Sequence, residues 1–155
     1  MFRCNTVDLR YMHHVAIMKK SWGLLPRILS GEKTIESRWY MNRAAPWGKI
    51  KKGDTVFFKN SGEPVTVCAQ VAEVMEFSAL TPKSVNKILT QYGKRDGINK
   101  DEYETYYSLF KGKHYCVLIF LEKACVIDPF EINKKGFGAM AAWITVSEIS
   151  DLKTV

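Results

Sequence analysis

Lys33, Glu36 and Arg38 fall within six residues of one another in the run SGEKTIESRWY, Ser30 to Tyr40. A lysine ammonium meets a phosphate or a base carbonyl as a point charge. An arginine guanidinium offers a planar fork suited to bidentate contact with phosphate or a base edge. Glu36 can pair with Arg38 or accept a hydrogen bond from a base amino group. In an enzyme, Lys33 or Glu36 would be the general base and Arg38 would stabilise the developing anion. The plainer reading is an ion pair bracing the fold. An exposed pair contributes only about 0–1 kcal/mol, so bracing alone is a thin reason for this clustering.

Further candidates surround this run. Trp47 sits in a basic loop, 42–54, with Arg43, Lys49, Lys51 and Lys52. Pro46 and Gly48 flank it and argue for a surface role, where bases could stack on the indole. Lys20, Lys59 and Ser61 could rim the same cleft, with small turn residues beside Ser61 letting a ligand approach the backbone. Trp22, Trp39 and Trp143 read as core packing. His13, His14 and His114 lack triad or metal spacing, so the sequence predicts no metal site and no cofactor.

The elements that must position these groups can be read from periodicity and punctuation. HHVAIM, residues 13–18, predicts a strand. Trp22, Leu25, Ile28 and Leu29 share one helical face, and Gly31 stops that helix. Residues 34–40 predict a strand with Thr34, Glu36, Arg38 and Tyr40 on one face and Ile35, Ser37 and Trp39 on the other. Residues 55–59 and 65–77 predict two more strands, the second bent near Glu73 where its apolar phase shifts. Thr81 and Pro82 open a helix carrying Val85, Ile88, Leu89 and Tyr92 on one face. A second helix repeats that spacing with Tyr103, Tyr106, Tyr107 and Phe110, a stripe read as core-facing rather than base-stacking. Strands follow at 114–121, 124–127, 130–132 and 141–146, with Asp128-Pro129 breaking the middle pair.

The chain has 155 residues, 46% hydrophobic and 25% charged, which predicts one globular domain. No apolar run is long enough to span a membrane. The net charge of +7 favours a polyanionic partner, nucleic acid first. The four cysteines form no CxxC pair, which predicts unpaired thiols in a reducing, cytoplasmic compartment. Residues 1–12 lack a secretory core and read as an extension before the domain.

Gly31, Lys33, Glu36 and Arg38 match G-x-K-x-x-E-x-R, and Gly53-Asp54 opens the next strand. In this the chain resembles the ASCH domain family, whose β-barrel is PUA-like; residues 13–77 resemble its core. The resemblance implies an α+β domain over residues 13–150: a PUA-like/ASCH β-barrel with inserted helices at about 81–112. It also implies RNA or a nucleotide-like ligand. One bacterial branch removes the acetyl group of N4-acetylcytidine with a threonine nucleophile three residues after the motif lysine. Glu36 stands at that position here, and a carboxylate is a poor substitute for that hydroxyl. A small hydrolase acting on a nucleoside amide, or a ribonuclease, is the alternative to a binding module.

Overall fold

A computed structural model describes residues 10–154; most of the expected N-terminal extension, with Cys4, lies outside them. Six strands form one sheet: β1 (His13–Met18), β2 (Ile35–Tyr40), β3 (Thr55–Asn60), β4 (Val65–Phe77), β5 (Tyr115–Phe130) and β6 (Trp143–Val146). Their spatial order is β2-β5-β4-β3-β1-β6. Only β1 and β3 pair in parallel; the other neighbours are antiparallel. The register between β4 and β5 slips at several points, including Val71/Glu73, where the sequence pattern predicts a bend. Such irregularities increase twist and let long strands curl. The sheet forms a half-barrel with three helices, an α+β fold, and β2 and β6 are its edges.

Alternation sorts the core onto two faces. Ala16, Met18, Phe58, Val67, Val117 and Ile119 point to one side and pack with Leu25 and Ile28 of α1 (Leu24–Ser30). Ile35, Trp39, Cys116, Leu118 and Phe120 point to the other, under α2 (Pro82–Tyr92) and α3 (Tyr103–Phe110). Both helices lie between β4 and β5, where the insert is expected. Thr81 caps α2 by accepting from the Ser84 amide, with Pro82 at the first helical position. The Tyr103, Tyr106, Tyr107 and Phe110 stripe joins the second apolar cluster. The same face at the β1 end is covered by Ile149 and Leu152, and Lys153 bridges to Ile132.

Three expectations need correction. Trp22 does not belong to the helix face. Gly23 adopts φ 61°, α1 begins only at Leu24, and Trp22 sits in a preceding 3-10 turn with 39% exposure. Nor does Pro129 break a strand, because β5 runs unbroken to Phe130. Beyond Phe120 its only neighbour is β4, so a proline there need not cost a ladder bond. Cys116 and Cys125 are free, but Cys68 is disulfide-bonded rather than a buried thiol. Among the described residues no helix is long and apolar enough to cross a membrane.

Candidate functional site

The motif occupies the start of an edge strand. Gly31, at φ 82°, ends α1, and β2 begins four residues later, so Lys33 lies in the connection. The residue is 2% exposed. The ammonium donates to the carbonyls of Ile35 (2.6 Å) and Asp96 (2.7 Å) and to the Asp96 carboxylate (2.7 Å). Glu36 Oε1 lies 3.3 Å away. The other Glu36 oxygen accepts from Arg38 Nη2 at 3.0 Å. Lys33, Glu36 and Arg38 therefore form one chain of charges with the carboxylate in the middle.

Asp96 carries no local sequence signal. It sits in the insert, 63 residues from Lys33, and only the fold brings them together. It also accepts a short hydrogen bond from the Ser37 hydroxyl, which accepts from Trp39 Nε1 at 3.0 Å. Gly97 makes the approach possible. Its φ is 82°, a Cβ there would lie 3.3 Å from Lys33 side-chain atoms, and its carbonyl accepts from Arg27.

Burial and charge compete throughout this cluster. Burial alone would lower the Lys33 pKa, but attraction to Asp96 and then Glu36 outweighs it and raises it. Burial alone would raise Glu36, but Lys33 and Arg38 hold it below the ordinary carboxylate range. Asp96 stays above that range: burial raises it, and repulsion from Glu36 opposes the help of Lys33. Lys33 and Glu36 are thus held charged, and Asp96 is the strained member.

Arg38 spans the opening between the sheet edges. It donates to the Ala142 carbonyl (3.2 Å), just before β6, and is directed at the Ile17 carbonyl on β1 (3.4 Å). Its guanidinium lies 5.1 Å from the centre of the Trp143 ring. Beside it is a cavity of about 290 Å³, lined by Glu36, Ser37, Arg38, Tyr40 and, towards solvent, Lys19, Trp22 and Phe110. Trp39 lines it too, and Phe110 stacks on Trp39 with centroids 4.6 Å apart and planes 6° apart. Tyr40 donates to the Ala45 carbonyl at 2.8 Å; its hydroxyl pKa is raised, chiefly by burial. A carboxylate, a guanidinium and aromatic walls thus share one hollow.

The remaining candidates are elsewhere. Lys33 does not line this hollow. Lys20 is exposed and paired with Glu63 at 2.9 Å; its neighbour Lys19 lines the cavity instead. Lys59 is buried and Ser61 exposed, and neither lines the cavity. Trp47 is half-buried, packed on the core and edge-on to Tyr115, with Arg43 over both rings. Lys51 and Lys52 line a separate open hollow with Glu73 and Glu76. Trp22 and Phe110 escaped the sequence reading because their helical spacing matched a core stripe.

This half-barrel with three helices, whose open seam Arg38 spans, shares its fold with ASCH domain proteins of known structure. Among solved structures, the ASCH protein from Zymomonas mobilis superposes with a TM-score of 0.61 at 16% identity, covering 95% of this chain and 98% of that one. Two single-substitution variants of that protein give TM-scores of 0.61 and 0.60 at 16% and 17% identity, each covering 92% of this chain and 99% and 96% of the other. The sequence matches no family model and no curated protein.

Proposed function

We propose that the chain binds RNA, or a nucleotide or modified nucleobase, by seating a base in the seam cavity. The observation that carries this reading is the convergence of Glu36 and Arg38 on a hollow walled by Trp22, Trp39, Tyr40 and Phe110. A base stacked on aromatic side chains gains about 1–3 kcal/mol. Glu36, held ionised, accepts only and so favours an amino or imino edge. Arg38 supplies the complementary donors. Lys33 serves this site indirectly, as the buried countercharge that keeps Glu36 ionised. Arg43, Lys49, Lys51 and Lys52 attract the phosphate backbone towards the site.

Titrating the full chain with CMP, AMP, UMP and a short single-stranded RNA, read by tryptophan fluorescence, tests the proposal. Trp22→Ala, at an exposed position outside the core, should weaken binding about tenfold. Wild-type protein that binds none of these probes would overturn the reading. A hydrolytic role for Lys33 or Glu36 as base is less well supported, because the lysine pKa is raised and the glutamate's lowered, the reverse of a poised base. N4-acetylcytidine and labelled RNA should accordingly be bound without turnover.

A further inference from the structure

On the side of Arg38 away from the charge cluster runs a second buried polar chain. Asp54 and His14 are both 0% exposed. His14 Nε2 lies 2.8 Å from Asp54 Oδ2, and Trp143 Nε1 donates to His14 Nδ1 at 3.1 Å. An indole N–H can only donate, so Nδ1 must be bare and the His14 proton must sit on Nε2, donated to Asp54. The Thr145 hydroxyl, 3.0 Å from Nδ1, completes the ring's contacts. Asp54 is itself fixed, accepting from the amides of Met12 (3.0 Å) and Lys51 (3.1 Å). The chain ends on function: the held indole offers its face to the Arg38 guanidinium.

We propose that Asp54 and His14 are positioning residues for the seam cavity. They fix the plane of Trp143, and that plane, together with Glu36 and the Ala142 and Ile17 carbonyls, fixes where Arg38 points. The inference rests on the reading that Arg38 contacts the ligand. The Arg38 fork is tied at its nitrogens by Glu36 and by the Ala142 and Ile17 carbonyls, and the Trp143 ring is the remaining wall it rests against. A cation–π contact confines the fork only if the ring is itself immobile. The indole is bonded through a histidine of determinate tautomer to a carboxylate locked by backbone amides. Neither Asp54 nor His14 touches the cavity, so any effect on ligand passes through Trp143.

The test uses ¹⁵N-labelled full-length protein and two readouts. One is the Arg38 Nε–H and Trp143 indole N–H signals, assigned by their loss in Arg38→Lys and Trp143→Phe. The other is affinity for CMP. His14→Phe removes the acceptor but keeps a ring; both signals should move and affinity should fall about tenfold. His14→Gln, which retains an acceptor oxygen, should restore most of both. A folded His14→Phe with an unmoved Arg38 signal and unchanged affinity overturns the proposal. If His14→Phe does not fold, Trp143→Phe substitutes: it keeps an aromatic face but loses the anchoring N–H, and an unmoved Arg38 signal is again fatal. Absence of CMP binding by wild type would sink the binding reading, while the Arg38 signal would still decide the positioning.

Discussion

Lys33 is sealed beneath the candidate site and meets it only through Glu36. Its ammonium is enclosed by two carboxylates and two carbonyls. Removing one partner of a buried ion pair leaves the other charge uncompensated, which costs about 3–5 kcal/mol. Lys33→Met should therefore destabilise the protein by that order in urea unfolding. The carboxylates should shape the acid limb of stability with opposite signs. Glu36 has a depressed folded pKa, so its contribution is full above its unfolded value and vanishes as pH falls through the folded one. Asp96 has a raised pKa, so its ionisation opposes folding and stability recovers as it protonates. Glu36→Gln should flatten the acid loss of stability, and Asp96→Asn should steepen it, in denaturation series from pH 7 to pH 3. The spacing of Lys33, Glu36 and Arg38 made the triad visible in the sequence. Asp96 was invisible because its pairing depends on a contact across the fold.

At the scale of elements, one connection decides the site. The turn carrying Asp96 and Gly97 lays the insert against Lys33, and only a residue tolerant of positive φ fits there. Gly97→Ala forces a Cβ against the lysine stem and should cost roughly 1–3 kcal/mol, measured by thermal or chemical denaturation. Thr81→Ala, which removes the α2 cap, should cost about 1 kcal/mol and leave ligand affinity unchanged. Strands β1 to β4 and helices α2 and α3 were legible because their alternation, caps and glycines are local signals. Trp22 and Pro129 misled for one reason. Spacing counts residues as though an element continued, whereas Gly23 had already reset the backbone and β5 had lost one neighbour.

For the whole molecule, the net charge of +7 predicts RNA binding that weakens steeply with added salt, because displaced counterions oppose it. Lys51→Ala with Lys52→Ala should lower the slope of log affinity against log salt by about 1.4 if each lysine meets one phosphate of a single strand. Unchanged slope would remove these lysines from the interface. Their hollow, shared with Glu73 and Glu76, is separate from the seam cavity, so their effect should be sequence-independent, whereas Trp22→Ala should alter preference among bases.

The amino-acid sequence alone determined the α+β class, the strand that carries Glu36 and Arg38, the face they share and the position of the insert. Each follows from interactions between near neighbours: alternation along a strand, capping, glycine at a helix end. Tertiary structure alone decided that Lys33 is sealed in, that Asp96 and Trp143 flank the charges, and that Trp22 and Phe110 wall the cavity. Those contacts join residues far apart in the chain, and they arise because the half-barrel stays open at the edge of β2, where a guanidinium rather than a strand reaches across.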